Sequence, residues 1–247
     1  MQGSSPSSPT LYPDLNAVLD DLTRSVAAIL CDNFYGACLQ GSFALGDFDQ
    51  HSDADFLIVI NGDLAVAQLD ALQAMHGRLY AGQCAWAQHL EGSYIRKDVL
   101  RDPAAAGSDV WFLDHGSRSL VRSPHCNSIV VRCVVRDYGI RLAGPDPRSL
   151  VDPIPPTILR KEVLGTMCNW GGISLLADPA QIDSLWYQSF VVVVYCRMLY
   201  TLDTGKIGSK LTSVRWAVDA LDARWAGLIE RAWAQRPDPA LKSRQPV

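Results

Sequence analysis

The sequence predicts an α+β protein, in which a domain with a mixed β-sheet and flanking helices is followed by an α-helical bundle. Strand-like and helical apolar patterns mix in the first half, the proline-rich segment GPDPRSLVDPIPP follows at residues 144–156, and every apolar pattern beyond it is helical. We therefore expect a disordered tail at residues 1–10, a first domain at residues 11–153 and a helical second domain at residues 154–247.

The first domain should open with an amphipathic helix behind Pro13. The apolar residues that recur there at three- and four-residue steps are Leu15, Val18, Leu19, Leu22, Val26, Ile29 and Leu30. The elements expected next are a strand within residues 35–40, a strand at 56–60, a helix around 64–79 and a strand at 84–95.

The second domain should consist of helices. The segments with helical spacing are residues 157–167, 185–202, 212–221 and 223–233. Gly205 stands where the second of these helices should end, because glycine readily adopts the left-handed conformation of a helix C-terminus. A bundle of four or five helices is the simplest arrangement.

Composition restricts the function. The chain has 247 residues, 48% of them hydrophobic, and a net charge of -4, which argues against binding of long nucleic acids because that requires clustered basic residues. The opening MQGSSPSSPT has no basic and apolar regions of a signal peptide, and the longest apolar segment is too polar to span a membrane, so we expect a cytoplasmic protein. Seven cysteines without a C-x-x-C pair predict reduced, mostly buried thiols.

Two aspartates mark the start of a buried strand in the stretch GSFALGDFDQHSDADFLIVI, residues 41–60. Side chains alternate between faces in an extended chain, so Asp53 and Asp55 point the same way. Two such carboxylates repel each other unless a cation lies between them, and their oxygens suit Mg²⁺ bound together with substrate phosphates. The pair therefore predicts a magnesium site.

Gly41 and Ser42 precede this pair, at the point where a strand should turn into a short helix near Phe43. Backbone N–H groups at such a turn, with a glycine that allows close approach, can hold a phosphate. The alternative is a tight turn in which Ser42 only caps the helix. Phosphate and metal sites together indicate a nucleoside triphosphate.

Glu91, in HLEGSYI, lies among apolar residues in the middle of a predicted strand. If that strand neighbours the strand after Asp53, Glu91 reaches the same face and can act as a metal ligand, a general base or both. The alternative is a solvated position on an edge strand. The histidines, His51, His76, His89, His115 and His125, show no metal-ligand spacing.

These residues resemble a known family. The stretch GSFALGDFDQHSDADFLIV resembles the G-S…D-x-D motif of the polymerase-β-type nucleotidyltransferase superfamily. From about Leu15 to Ala234 the chain further resembles the aminoglycoside adenylyltransferases of the streptomycin/spectinomycin type and their uncharacterised relatives, through LEGSYI, YGIRLAGPDPRSLVDPIPP and CRMLYTLDTGKIGSK.

The resemblance implies an enzyme that transfers AMP from ATP to a hydroxyl and releases pyrophosphate, with two Mg²⁺ ions and ATP as co-substrate. It implies Asp53, Asp55 and Glu91 as metal ligands, with Glu91 also the catalytic base. The nucleotide-binding residues that it implies are Gly41, Ser42, Ser52, Asn127, Arg197 and Lys210. Arg197 also lies in a helix so apolar that its guanidinium needs an anionic partner.

On the acceptor side, the resemblance implies Trp170 as a substrate contact, with core packing as the alternative for this residue. The segment after Trp170 is several residues longer than in the resistance enzymes, so their acidic partner is assigned to Asp178, with Asp183 the next candidate. The expected partner is a small cationic molecule with a hydroxyl group, and the expected assembly is a monomer or weak dimer. Transfer to a protein or other hydroxyl, or a non-catalytic nucleotide-binding module, are the alternatives.

Overall fold

The computed structural model describes residues 8–48, 52–177 and 183–236. The chain divides within the proline-rich segment into two compact units, Met1–Pro153 and Ile154–Val247. At the end of the predicted tail, Thr10 is 8% exposed and its hydroxyl donates a hydrogen bond to Asn16 Oδ1 at 2.8 Å. This contact fixes the chain just before the first helix.

A mixed β-sheet forms the centre of the first unit. Its strands are β1 (Phe34–Leu39), β2 (Ala54–Ile60), β3 (Leu90–Arg96), β4 (Val110–Leu113), β5 (Leu120–Ser123) and β6 (Ile140–Ala143). Their order is β5-β4-β3-β2-β1-β6. The pair β2–β3 is parallel and the other pairs are antiparallel. The predicted mixed sheet is therefore confirmed.

Helices cover this sheet. They are α1 (Pro13–Leu30), α2 (Gly41–Ala44), α3 (Val66–Tyr80), α4 (Lys97–Arg101) and α5 (Ile129–Tyr138). The apolar stripe of α1 is buried against the face of β2 that carries Phe56, Ile58 and Ile60, as the alternation of an extended strand requires. Residues of α3, among them Leu72, complete this core.

One predicted strand is partly wrong. Residues Ala85–His89 form a 3₁₀ helix, and only Leu90–Arg96 are extended. The alternation in CAWAQHL is typical of a strand, but Trp86 packs against the rings of Tyr12 and Phe43, at centroid distances of 5.1 and 5.7 Å. This tertiary packing overrides the local pattern. The short strands β4, β5 and β6 were not predicted.

The second unit is helical, as predicted. Its helices are α6 (Pro156–Thr166), a π-helical segment (Met167–Ser174), α7 (Leu175–Ala177), α8 (Leu185–Thr204), α9 (Lys210–Ala220) and α10 (Ala226–Gln235). Gly205 ends α8 in the left-handed conformation, with φ +69°. Val193, Val214 and Ile229 join α8, α9 and α10 in one core. In the part of the chain that the structure describes, no helix is both long and apolar enough to cross a membrane.

Candidate active site

Three carboxylates lie at the N-terminal ends of the two central strands, β2 and β3, in the first unit. The parallel register of β2 and β3 pairs Asp55 directly with Glu91, so that these two side chains emerge side by side on the same face. Asp53 precedes β2 by one residue and shares the parity of Asp55. The sequence expectation that the Glu91 strand neighbours the Asp53 strand is confirmed. The Glu91 side chain is 16% exposed, against 42% for Asp53.

Gly41 lies directly against Asp55. It has φ +61°, and a Cβ built on it would overlap Oδ2 of Asp55 and come within 2.6 Å of its Cγ. The backbone N–H of Gln40 also donates to the Asp55 carbonyl at 2.9 Å. A glycine is therefore required here, because any side chain would displace the carboxylate.

Two histidines accompany Asp53. Nδ1 of His115 is 2.8 Å from Oδ1 of Asp53, and the His89 and His115 rings lie 4.9 Å apart. His89 immediately precedes β3, and His115 follows β4. The candidate ligand atoms of Asp53, His89 and His115 all lie within 4.8 Å of one another.

A third histidine accompanies Glu91. Nε2 of His125 is 3.3 Å from Oε1 of Glu91. A hydrogen bond to the Glu91 carboxylate raises the pKa of His125, partial burial opposes the shift, and the charges of Glu91, Asp114 and Asp55 add to it. Burial raises the pKa of the neighbouring Cys126 thiol to about 12, so this thiol is protonated near neutral pH.

Sequence reasoning did not assign His89, His115 and His125 to this site. Glu91, His125 and Cys126 form a second group of ligand atoms within 4.8 Å of one another, and Asp55 belongs to neither group. The linear spacing of the histidines gave no signal, because the sheet register and the turns after β4 and β5 bring them together. A prediction of these strands would have been the only route to them.

The other residues of the first unit that were predicted to bind the nucleotide differ in their burial and hydrogen bonds. Ser42 lies in α2 beside Gly41, and Ser52 just before Asp53, both partly buried. Asn127 is 1% exposed, and its amide nitrogen donates to the carbonyl oxygens of Ala105 and Ser108 at 3.2 and 2.7 Å. This amide holds the loop before β4, which is a structural role, and its nucleotide contact stays a prediction.

The second unit holds the remaining predicted residues. Arg197 lies on α8, partly buried between Cys196 and Met198, and Lys210 is the first residue of α9. Trp170 lies in the π-helical segment and contacts the rings of Phe190 and Tyr195, at 6.2 and 6.4 Å between centroids. Trp170 is partly buried, and its substrate role stays a prediction.

Two acidic residues, Asp178 and Asp183, were predicted as alternative contacts of the acceptor molecule. Asp178 lies outside the described residues, whereas Asp183, the second candidate, is exposed immediately before α8.

Two family models match the chain. The one described as nucleotidyltransferase domain matches residues 24–102, which include Asp53, Asp55 and Glu91. The one described as aminoglycoside adenylyltransferase, C-terminal domain, matches residues 149–243. The chain is therefore similar to nucleotidyltransferases in its first unit and to aminoglycoside adenylyltransferases in its second unit. The nucleotidyltransferase class and the resemblance to aminoglycoside adenylyltransferases, both predicted from the sequence, are thereby confirmed.

The relatives to which the chain is similar are distant. An aminoglycoside (3'') (9) adenylyltransferase of Escherichia coli is 28% identical over 112 residues, 44% of this chain and 40% of the relative's length. A spectinomycin 9-adenylyltransferase of Staphylococcus aureus is 23% identical over 221 residues, 85% of this chain and 80% of the relative.

The fold of the family is also found in a solved structure. The crystal structure of spectinomycin adenyltransferase AAD(9) from Enterococcus faecialis, with ATP and spectinomycin, matches with a TM-score of 0.67 and 16% identity over 90% of both chains. At that identity the likeness establishes the shared fold.

Proposed function

We propose that this chain transfers AMP from ATP to a hydroxyl group of an aminoglycoside-type antibiotic of the streptomycin/spectinomycin class and releases pyrophosphate. The observation that carries the proposal is the register of β2 and β3, which pairs Asp55 with Glu91 at the strand ends where Asp53 also lies. It places three carboxylates of two separate strands together, and the family comparisons supply the type of reaction.

The residues fit magnesium. Asp53, Asp55 and Glu91 offer hard carboxylate oxygens on one face of the sheet. Gly41 has no side chain, so the space next to it is open to the Asp55 carboxylate. We assign two ions to these ligands, whose positive charge would stabilise the charge that develops on the phosphate oxygens. Binding would replace the contacts of Asp53 with His115 and of Glu91 with His125.

Glu91 is the base in this proposal. The acceptor hydroxyl must lose a proton as its oxygen forms a bond to the α-phosphorus, while the bond from this phosphorus to the pyrophosphate oxygen breaks. The Glu91 side chain is largely enclosed but still reached by solvent, and the strand pairing with Asp55 holds it beside the other proposed metal ligands. It takes the proton and returns it to solvent after the product leaves.

The nucleotide contacts rest on the family resemblance together with their position. Gly41 and Ser42 begin α2 next to Asp55, where their backbone N–H groups can face the phosphates. Ser52, Asn127, Arg197 and Lys210 complete the proposed set. The guanidinium of Arg197 offers two donors to a phosphate, and Lys210 offers a point charge.

The acceptor is assigned to the antibiotic class from the names of the relatives. Trp170, with Asp178 or Asp183, would contact a cationic acceptor.

The test is mass spectrometry of small molecules after incubation of the purified chain with ATP, Mg²⁺ and a panel that includes streptomycin, spectinomycin and other aminoglycosides. We expect an adenylyl adduct on a member of the panel, formed by the wild type and by a Glu230→Gln control on the exposed side of α10, but not by Glu91→Gln. Absence of an adduct on every member would contradict the assigned acceptor class.

A further inference from the structure

Asp53, His89 and His115 form a set of candidate ligands, and the two histidines in it have no part in the proposed transfer reaction. The set consists of one carboxylate and two imidazoles, whose candidate ligand atoms lie within 4.8 Å of one another. Its core is the contact of 2.8 Å between His115 Nδ1 and Asp53 Oδ1. The rings of His89 and His115 are tilted by 41° at 4.9 Å, so they do not stack face to face.

The sheet builds this set. The parallel register pairs Ala54 with Leu90, so the residues just before them, Asp53 and His89, leave adjacent strand ends. The antiparallel register pairs Gly92 with Leu113, and two further steps bring His115 beside the start of β3. Three chain segments therefore deliver one ligand each to the same end of the sheet.

The turn that carries His115 has an ordered backbone. The N–H of Ser117 donates to the Asp114 carbonyl at 2.9 Å, and the His115 N–H donates to Asp114 Oδ1 at 3.0 Å. The His115 side chain is 37% exposed, so an ion can reach it from solvent.

The chemistry of this set differs from that of the magnesium ligands. Mg²⁺ takes oxygen ligands and keeps several waters, whereas two imidazoles and a carboxylate are typical ligands of Zn²⁺ and other divalent transition metals. Ligands at 2.0 to 2.2 Å from a tetrahedral ion lie about 3.4 Å apart, so shifts of roughly 1 Å or less would close the set around one ion. The fourth position would be left to water.

We propose that Asp53, His89 and His115 bind one zinc-type divalent cation. Because Asp53 also belongs to the proposed magnesium set, this ion and Mg²⁺ compete for its carboxylate. The metal site stands apart from the proposed transfer reaction, since it requires neither nucleotide nor acceptor. The second group, Glu91 with His125 and Cys126, is less favoured because 62% of the His125 side chain is exposed, against 37% of the His115 side chain.

The test uses Co²⁺ as a spectroscopic probe for Zn²⁺. The untagged full chain is titrated with Co²⁺ without ATP or antibiotic, and visible absorption and equilibrium dialysis report the coordination and the number of ions. The variants are His115→Asn, His89→Asn and, as the matched control, His125→Asn. Circular dichroism identifies variants that fold like the wild type.

We expect one Co²⁺ ion per chain with the intense visible bands of a tetrahedral site. Its affinity should fall at least about tenfold in His115→Asn and in His89→Asn but stay unchanged in His125→Asn. Zn²⁺ should displace the Co²⁺, and excess Mg²⁺ should weaken its binding. Loss of the bands in His125→Asn alone, equal binding by every variant, or no binding by the wild type would each overturn the proposal. Because neither catalysis nor acceptor enters this measurement, failure of the transfer reaction leaves its outcome unaffected.

Discussion

Two histidines contact residues of β3 from opposite faces of the sheet, and their pKa values shift in opposite directions. Nε2 of His76 lies 2.8 Å from the hydroxyl of Tyr94, in the core between the sheet and its helices. His76 is 2% exposed, and desolvation lowers its pKa from 6.5 to about 4. On the other face, Glu91 raises the pKa of His125.

The difference follows from the alternation of β3. Tyr94 shares the face that α1 and α3 seal, where a neutral imidazole can satisfy a phenol but a charge has no compensating partner. Glu91 lies on the face where carboxylates gather and where cations are therefore favoured. One strand thus separates a dry core from an ionic site, and the following predictions test this separation.

The largest effect is expected at Glu91. Glu91→Gln keeps the shape of the side chain but removes the base, so the rate of transfer should fall by at least about 100-fold. ATP binding, measured by titration calorimetry, should be retained. Glu230→Gln is the control with an exposed carboxylate. Full activity of Glu91→Gln would remove this residue from the mechanism.

The next effect concerns the buried face. Because the folded pKa of His76 is lowered to about 4 from 6.5, its contribution to stability is complete above pH 6.5 and is lost as the pH falls toward 4. The unfolded chain binds the proton in this range and the folded chain does not. The loss should reach about 3 kcal/mol.

The measurement is urea unfolding of the wild type and of His76→Gln at several pH values. Glutamine can still hydrogen-bond Tyr94 but does not titrate. The stability difference between the two proteins should therefore change by about 3 kcal/mol between pH 7 and pH 4. A difference that is constant with pH would show that His76 can be protonated in the folded state.

A pair of glycines separates backbone strain from the carboxylate contact. Gly41 and Gly46 both have positive φ, +61° and +69°, but only at Gly41 would a Cβ meet Asp55, because nothing lies within 4 Å of the Cβ position at Gly46. Both alanine variants should lose about 1 to 2 kcal/mol of stability. Only Gly41→Ala should lose activity, by about tenfold or more, because Asp55 is displaced. Equal activities of the two variants would contradict the role of this contact.

The smallest effect is expected at the far end of β3. Arg96 contacts Asp63 and Asp98 there, but these carboxylates are 76% and 58% exposed. Arg96 lowers the pKa of Asp98 through a hydrogen bond, yet solvent screens such a pair. Asp98→Asn should leave the unfolding midpoint and the transfer rate unchanged within experimental error. A loss of activity would show that the ionic site extends along the whole strand.

The sequence predicted the parts of the fold that long periodic patterns encode. The helix Pro13–Leu30 and the strand Ala54–Ile60 followed from apolar spacing. The grouping of Asp53, Asp55 and Glu91 followed from the alternation of side chains along a strand, together with the assumption that the two strands are neighbours. The strands β4 and β5 have only four residues each, too few for a periodic signal. His115 and His125, which depend on those strands, were therefore missed.

Packing decided the remaining differences. The segment Ala85–His89 has a strand-like pattern. It nevertheless forms a 3₁₀ helix, because Trp86 packs against the rings of Tyr12 and Phe43. Asn127 was assigned to the nucleotide from the family resemblance, and that contact stays a prediction. Its burial and its bonds to backbone carbonyls depend on a loop whose path the sequence does not reveal.

The central claim is that an acceptor hydroxyl attacks the α-phosphorus of ATP at the site formed by Asp53, Asp55 and Glu91. Phosphorus NMR of a reaction containing ATP, Mg²⁺ and spectinomycin or streptomycin tests it most directly, since it distinguishes the two bonds that could break. We predict that pyrophosphate and an adenylyl phosphodiester appear together in equal amounts, and that neither appears with Glu91→Gln. Formation of ADP with a phosphorylated acceptor would contradict the account.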